Sequence, residues 1–284
     1  MRIFVLGDAS RSGVKEAAHQ LMPLLQKHAE IVLVDLYREK DLRTCQADLA
    51  LVLGGDGAIL RAARQMGYCQ VPVLGINLGK LGFLADLSPD ELTDCLPHVV
   101  NQEYRVVEHL MFECLLEPPA DTEAAASKPI LGLNEVVIQA GQPFHMIDLE
   151  LQIDGESVTR FRGDGLIIGT PVGSTGHNLS AGGPILQQGL SAFVISSICP
   201  HSLTARPIVD SADKTYTIEV FRACAGTAVI IDGQELHAVR VGHRITVRKA
   251  PVSFGLVKVP GKSYYQTLRD KLRWGTLPNY RREP

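Results

Sequence analysis

The residues best suited to chemistry form a short glycine turn with one carboxylate: Gly54, Gly55, Asp56 and Gly57. They follow an apolar run (48–53) that predicts a buried strand, and good helix formers (58–66) come next. Where a strand turns into a helix in this way, backbone N–H groups and the helix dipole favour an anion such as phosphate. Because a carboxylate would repel that phosphate, Asp56 makes chemical sense if it meets the hydroxyl that attacks it. An ordinary helix N-cap at Asp56 is the alternative.

Two polar stretches further along the chain offer hydrogen-bonding groups instead of charge. Asn134 and Glu135 stand just before an apolar run, at the lip of a predicted strand. Residues 170–184, here called the polar loop, are rich in glycine, serine and threonine, with Pro171 and Pro184 stiffening the ends. Such small side chains cannot pack a core, so we expect hydroxyls and bare backbone to line a site for a ligand with ribose and phosphate groups. A surface turn and a flexible loop are the plainer alternatives.

Composition argues against several classes of function. The 284 residues carry a net charge of -3, which gives no electrostatic case for nucleic acid or an anionic membrane. No apolar stretch approaches the length of a membrane span, and we expect no signal peptide because Met1 leads directly into a predicted strand. The six cysteines are scattered without a C-x-x-C pair, which favours reduced thiols in the cytoplasm over structural zinc or disulfides.

The first hundred residues alternate between strand and helix patterns. Apolar runs predict strands at 2–7, 30–36, 48–53 and 71–77, and helical spacing predicts helices at 14–28 and 58–66 and from Ser88 onward. This alternation is typical of βαβ units with a mainly parallel sheet, and it predicts an α/β domain over 1–102. In such sheets ligands bind at the carboxyl ends of the strands, where the glycine turn would lie.

Beyond about residue 102, short strand-like runs replace the helical spacing and predict a predominantly β domain over 103–260. The predicted strands are 105–116, 131–139, 146–153, 158–162, 166–169, 192–198, 215–221, 229–231, 244–247 and 253–257. Asp154 and Gly155 between two runs are a direct hairpin signal. Residues 118–129 predict an exposed, mobile hairpin loop. A final helix is predicted over 263–273, followed by a loose tail.

Taken together, these motifs resemble the NAD kinase family over most of the chain. The resemblance is carried in order by the glycine turn, 75–84, Asn134-Glu135, 162–166, the polar loop and 200–207. It implies an α/β N-terminal Rossmann-like domain, a predominantly β C-terminal domain that binds NAD, and a last segment (261–284) returning to the first domain. It also implies a homodimer or homotetramer. The implied reaction transfers the γ-phosphoryl of ATP to the 2′-hydroxyl of the adenosine ribose of NAD, giving NADP.

The resemblance assigns roles residue by residue. Asp56 accepts the proton of the 2′-hydroxyl, while Asn134 and Glu135 hydrogen-bond the adenosine end of NAD. The implied cofactor-binding set is Gly54, Gly55, Gly57, Arg61, Asn134, Glu135, His145, Arg162, Asp164, Thr175, Gly176, His177, Asn178, Leu179, Ser180 and Gln234. The glycine amides and Arg61 take phosphates, although a solvated helix arginine is an equal alternative for Arg61. Mg²⁺ or another divalent metal is expected to arrive with ATP, without a dedicated protein cage.

Some questions stay open at this point. Family members usually have Ala-Tyr where this chain has Gly176 and His177, so the preference between NAD and NADH is not fixed. The phosphoryl donor is ATP or polyphosphate. A lipid kinase of the diacylglycerol or sphingoid type shares the glycine turn, but it needs an apolar groove that the polar loop argues against. A non-catalytic dinucleotide-binding regulator is the other alternative, and the intact Asp56 argues against it.

Overall fold

The structure, a computed structural model, describes residues 1–79, 82–85, 87–122, 125–142, 145–261 and 263–273. The described chain divides into two compact units. The first comprises Met1–Val107 and the chain from Gly255 onward, and the second is Glu108–Phe254. The functional domains drawn at 1–102, 103–260 and 261–284 stay a prediction, and the tail from 280 lies outside the described residues.

The first unit begins as alternating strands and helices, as predicted. Its elements are β1 (Arg2–Leu6), α1 (Val14–His28), β2 (Glu30–Asp35), β3 (Leu49–Leu53), α2 (Asp56–Met66), β4 (Val73–Ile76) and α3 (Pro89–Val100). The strands pair in the order β2-β1-β3-β4, and each of these pairings is parallel. All five residues of β3 are buried, as expected for a central parallel strand. The carboxyl ends of β1, β3 and β4 therefore share one edge, where Asp8 and the glycine turn follow.

The second unit is almost entirely β structure. The remaining elements are β5 (Arg105–Glu117), β6 (Ile130–Gly132), β7 (Glu135–Gln139), β8 (Ile147–Ile153), β9 (Glu156–Gly163), β10 (Gly165–Gly169), α4 (His177–Ser180), β11 (Ala192–Ile198), β12 (Ile208–Ser211), β13 (Tyr216–Arg222), β14 (Ala228–Ile231), β15 (Glu235–Ala238), β16 (Arg244–Lys258) and α5 (Tyr264–Leu272). Of these, the start of β5, the end of β16 and the whole of α5 belong to the first unit. An antiparallel sheet runs β12-β11-β10-β7-β14-β15, and β9, β8, β13 and the first part of β16 pair in a second set. The last part of β16 pairs β4 in the first unit through Leu256 and Val73.

The core of the second unit is built from the inward-facing residues of these strands. Phe112, Phe193 and Tyr216 are fully buried in it. The rings of Phe193 and Tyr216 meet edge to face with their centroids 5.5 Å apart, a favourable aromatic geometry.

The predicted elements and the observed ones differ in instructive places. The single strand predicted over 131–139 is two, β6 and β7, because the N–H groups of Leu133 and Asn134 bond to the carboxylate of Asp232 instead of a neighbouring strand. The two strands predicted over 244–257 are one, β16. The short strands β12 and β15 were not predicted, because each has only four residues and none of them is buried, which is too little to establish a strand pattern. The hairpin at Asp154 and Gly155 is confirmed, with φ of 51° and 82° at the two turn residues.

The start of α3 is fixed by a reciprocal cap. The Ser88 hydroxyl accepts the Glu91 N–H at 3.2 Å, and the Glu91 carboxylate accepts the Ser88 N–H at 2.8 Å. We expect Ser88→Ala to lower the free energy of unfolding by about 1 kcal/mol in urea denaturation. Asp94→Ala, at an exposed position of the same helix, is the control and should change it by less than about 0.5 kcal/mol. Equal losses in the two variants would contradict the capping role.

Candidate active site

The carboxylate of Asp56 is held by the chain that follows β4. Its Oδ2 accepts the N–H of Phe83 at 2.8 Å, and its Oδ1 accepts the N–H groups of Leu84 at 2.9 Å and Ala85 at 3.1 Å. Rotation of the carboxylate would break three hydrogen bonds, so its orientation is fixed. The alternative of an N-cap at Asp56 is wrong, because Gly55 occupies that position and Asp56 is the first helical residue.

Two glycines leave room for this arrangement. Gly54 has φ of 137°, a backbone conformation that residues with a side chain rarely adopt. A Cβ at Gly82 would lie 2.0 Å from Oδ1 of Asp56, so only glycine allows the chain to approach the carboxylate there. The N–H of Gly54 donates to the Ile76 carbonyl and those of Ala58 and Ile59 donate to the Gly55 carbonyl, so the turn favours a phosphate through the positive end of the α2 dipole.

A basic pocket of about 320 Å³ opens beside the glycine turn, within the first unit. Arg61 from α2 and Arg38 after β2 each place a guanidinium nitrogen 3.7 Å from Oδ2 of Asp8, and Arg11 also lines the pocket. These three guanidinium groups outnumber the one carboxylate of Asp8, so an excess of positive charge remains that attracts a polyanion.

The charges in the pocket perturb one another. Burial lowers the pKa of the Arg61 guanidinium, the charges of Arg38 and Arg11 lower it further, and Asp8 partly offsets them. The Ser10 hydroxyl is the main cause of a lowered pKa at Asp8, so this carboxyl stays ionised. Within the described chain, the buried Nε of Arg61 has no hydrogen-bond partner. Sequence reasoning missed Arg11 and Arg38, although both follow strands whose carboxyl ends could have drawn attention to them.

In the second unit, Asp232 organises the predicted polar pair. Its carboxylate accepts the N–H of Leu133 at 3.0 Å, of Asn134 at 2.7 Å and of Glu135 at 3.2 Å, and its own N–H donates to the Glu135 carbonyl. Asp232 is buried and has φ of 51°. The sequence contains no signal for this role of Asp232, because an Asp-Gly pair after a strand predicts only a turn.

The polar pair itself is poorly satisfied. Among the described residues, Oδ1 of Asn134 and Oε2 of Glu135 are buried without a hydrogen-bond partner. A Cβ at Gly176 would lie 3.3 Å from Oε2 of Glu135, so the structure brings Gly176 against the pair. Burial, together with the negative charge of Asp232, raises the pKa of Glu135 to about 8. Buried polar groups without partners cost free energy, so a ligand that pairs them would bind here.

The polar loop differs from the prediction in how it uses its hydroxyls. Those of Thr170, Ser174 and Thr175 donate to main-chain carbonyls at 2.6, 2.6 and 3.1 Å. Thr170 and Ser174 are also buried, so their hydroxyls do not line a site. The loop contains little regular structure, and its own carbonyl groups need donors.

The predicted residues of α4 are of two kinds. Asn178 is fully buried, and its amide donates to the Ser174 and Pro184 carbonyls while its oxygen accepts from the Ser196 hydroxyl. That side chain therefore holds the loop in shape. His177 and Ser180 are exposed, and Leu179 is half-buried.

The other predicted residues of the second unit lie in separate places. Gln234 is in the turn after β14, where its N–H donates to the Ile231 carbonyl. Asp164 lies at the opposite end of β7 from Glu135, because its carbonyl accepts the N–H of Ala140. The intervening strand separates the two positions by about 16 Å.

Two further predicted residues belong to β8 and β9. Arg162 on β9 donates twice to Asp148 on β8, at 2.6 and 2.8 Å. This bidentate pair lowers the pKa of Asp148 and raises that of Arg162. His145 is exposed, just before the start of β8.

An α/β unit with a carboxylate at a glycine turn, and a β unit with unpaired polar groups in the same chain, are features that a nucleotide-dependent phosphotransferase would use. Comparison with known families agrees. The profile for the ATP-NAD kinase N-terminal domain matches residues 8–104, and that for the ATP-NAD kinase C-terminal domain matches 133–259. The chain belongs to the NAD kinase family, which confirms the resemblance seen in the sequence.

Individual relatives support this assignment. The NAD kinase of Rhodopirellula baltica is 48% identical over 273 residues, covering 96% of this chain and 86% of that one. The NAD kinase of Geotalea daltonii is 41% identical, covering 91% and 90%. The crystal structure of an Archaeoglobus fulgidus NAD kinase in complex with ATP has a TM-score of 0.75 at 29% identity, covering 96% and 99%.

A more distant structure shares the fold. Yeast NADH kinase complexed with NADH has a TM-score of 0.87 at 21% identity, covering 100% of this chain and 90% of that one. The predicted fold class, an α/β N-terminal domain with a predominantly β C-terminal domain, is confirmed.

The raised pKa of Glu135 has a consequence for stability. An unfolded glutamate titrates near 4.5, so at neutral pH folding keeps a proton that the unfolded chain releases. The stability that the protonated Glu135 contributes is therefore fully present below the pKa of the unfolded state and is lost as pH rises through about 8. We expect the free energy of unfolding of the native protein, relative to Glu135→Gln, to fall by about 3 to 4 kcal/mol between about pH 5 and about pH 9.

Urea denaturation of both proteins at the two pH values measures this difference. Glu156→Gln, at an exposed position of the same unit, is the control and should show no such pH dependence. A constant difference between the native protein and Glu135→Gln would mean that Glu135 is ionised in the folded state.

Proposed function

We propose that this chain is an NAD kinase that transfers the γ-phosphoryl of ATP to the 2′-hydroxyl of the adenosine ribose of NAD, giving NADP. The observation that carries the proposal is Asp56, a partly exposed carboxylate fixed by three backbone N–H groups beside a basic pocket. The relatives that match nearly the whole chain are NAD kinases, so a lipid kinase or a silent regulator is not favoured.

Asp56 acts as the general base. Phosphoryl transfer depends mainly on positioning and charge neutralisation, so a pre-oriented carboxylate is well suited to it. As the 2′-oxygen bonds to the γ-phosphorus, its proton passes to Asp56. The bond between that phosphorus and the β-γ bridging oxygen breaks, and the electron pair leaves with ADP.

The basic pocket, which the three glycines of the turn line, binds the triphosphate of the donor at the positive end of the α2 dipole. Arg61, Arg38 and Arg11 supply positive charge there, and a polyphosphate chain would satisfy the same groups. Among the described residues no group of three or more His, Cys, Asp or Glu side chains is placed to hold a metal ion. Mg²⁺ or another divalent metal would therefore be bound mainly by the donor's phosphate oxygens, which it prefers as ligands, and would neutralise their charge.

The second unit binds the dinucleotide. Asn134 and Glu135 take the adenosine end, where their unpaired groups meet the donors and acceptors of the base and ribose. Asp164, about 16 Å along β7, suits a contact to another part of an extended ligand. The proposed dinucleotide-binding residues also include 175–180, His145, Arg162 and Gln234. The exposed His177 adjoins the nicotinamide end and sets the preference between NAD and NADH.

The decisive experiment is a kinase assay on the purified protein. With Mg-ATP and NAD it should produce NADP, detected with an NADP-specific dehydrogenase, and a panel of donors and acceptors ranks ATP against polyphosphate and NAD against NADH. Asp56→Asn should still bind NAD while its turnover falls by about two orders of magnitude, as for loss of a general base. Asp90→Asn makes the same change in the first turn of α3 and should be fully active.

The other outcomes separate the alternatives. Phosphorylation of diacylglycerol without NADP would establish a lipid kinase. Tight NAD binding with neither product would establish a regulator. Full turnover in Asp56→Asn would show that Asp56 only anchors the chain after β4.

We also propose that the protein is a cytoplasmic homodimer or homotetramer. Among the described strands, β12 lies at the end of its sheet with Ile208 and Val209 exposed, and Leu203 just before it is 95% exposed. Apolar residues on an edge strand are usually covered by a partner. No helix among the described residues is long and apolar enough to cross a membrane.

Light scattering on the protein as it elutes from a size-exclusion column measures the mass of the assembly. At micromolar concentration we expect a mass of two or four chains, because the exposed edge strand is then covered. Val209→Lys should dissociate the assembly. Val158→Lys, at an exposed position on β9, is the control. A native protein that elutes with the mass of one chain would contradict the proposal.

A further inference from the structure

Lys271 on α5 reaches the proposed general base. Its Nζ lies 3.5 Å from Oδ2 of Asp56 and 4.2 Å from the centroid of the Phe83 ring. The N–H of Phe83 donates to the same Oδ2. One residue therefore supplies both a backbone donor for the carboxylate and an aromatic face for the ammonium group. Nothing in the proposed function so far uses this lysine.

The hydrogen bonds around Asp56 show what the lysine occupies. An ionised carboxylate has about four acceptor positions, two on each oxygen. Leu84 and Ala85 take the two on Oδ1, and Phe83 takes one on Oδ2. Lys271 lies at the remaining position on Oδ2, with the longest contact of the four. An incoming hydroxyl that gives its proton to Asp56 must take that position.

Stability does not explain the contact. The side chains of Lys271 and Asp56 are 32% and 29% exposed. Ion pairs that remain open to water contribute little to folding, because solvent screens them and the long side chain loses freedom. A cation at this point matters more when a second negative charge is formed beside it. Phosphorylation of the hydroxyl bound at Oδ2 creates that charge.

We propose that Lys271 occupies the position on Asp56 that the hydroxyl of the substrate takes when it binds. Lys271 then binds the phosphate that forms on the 2′-oxygen. The inference rests on the proposed function, because it takes the hydroxyl at Asp56 to be the 2′-hydroxyl of NAD. When the hydroxyl binds, it replaces the ammonium group at Oδ2. The ammonium then neutralises the transferred phosphoryl group, so it favours the 2′-phosphate of NADP over the hydroxyl of NAD.

Binding measurements test this without relying on turnover. By isothermal titration calorimetry, Lys271→Met should weaken the binding of NADP about tenfold or more, as for loss of a charged partner to phosphate. The binding of NAD should change by less than about threefold. Lys271→Arg keeps a cation and should restore most of the NADP affinity. Arg269→Met removes a positive charge from an exposed position of the same helix and should leave both affinities unchanged.

Kinetics supply a second readout. In Lys271→Met, kcat should fall about tenfold while the KM for NAD stays within about threefold, because the interaction develops during transfer. Lys271→Gln replaces Lys271→Met if the latter melts at a lower temperature than the native protein. Equal losses of NAD and NADP affinity, or no loss of either, would overturn the inference, as would an increase in kcat. A native protein that binds both dinucleotides yet makes no NADP would refute the proposed function alone, since the binding comparison would still report on Lys271.

Discussion

The functional turns of this protein depend on one kind of interaction, an aspartate carboxylate that gathers several backbone N–H groups. Asp35 accepts from Tyr37, Glu39 and Lys40, Asp56 from residues 83–85, and Asp232 from residues 133–135. The backbone just outside a strand has N–H groups without partners in the sheet. Burying these groups unpaired would cost free energy. A single carboxylate supplies the acceptors that would otherwise require another length of chain.

The same interaction serves structure at two of these sites, and at the third it fixes the residue that we propose as the general base. Asp35 and Asp232 are each only 4% exposed, so their carboxylates interact with groups of the fold and not with a ligand. The Asp56 side chain is 29% exposed, and its fourth acceptor position, on Oδ2, is taken only by the longer contact to Lys271, which a substrate hydroxyl can replace. Because the backbone has already fixed its orientation, little reorganisation is needed when the substrate binds. Anchoring the chain and acting as a base are therefore compatible in one residue.

Sequence patterns revealed what depends on local spacing and missed what depends on long-range contact. The strand, glycine turn and helix around Asp56 follow from apolar runs and glycine placement, so they were predicted nearly to the residue. The position of Asp232 beside Leu133 joins residues 99 apart in the chain, and that of Lys271 beside Asp56 joins residues 215 apart. No periodicity encodes such contacts. The split of the strand predicted over 131–139 has the same origin, because Asp232 takes N–H groups that the apolar pattern had assigned to a sheet.

The two units also differ in the charge that they offer a ligand. In the first, Arg38 and Arg61 beside Asp8, Arg11 in the pocket, and the start of α2 suit phosphates. In the second, burial and, after it, the negative charge of Asp232 raise the pKa of Glu135 to about 8, which favours the uncharged form of this side chain at pH 7. A neutral carboxyl beside an amide can donate and accept at once, which suits an uncharged base or ribose and gives a phosphate no counter-charge. This contrast supports the proposal that the first unit recognises phosphate and the second recognises the nucleoside.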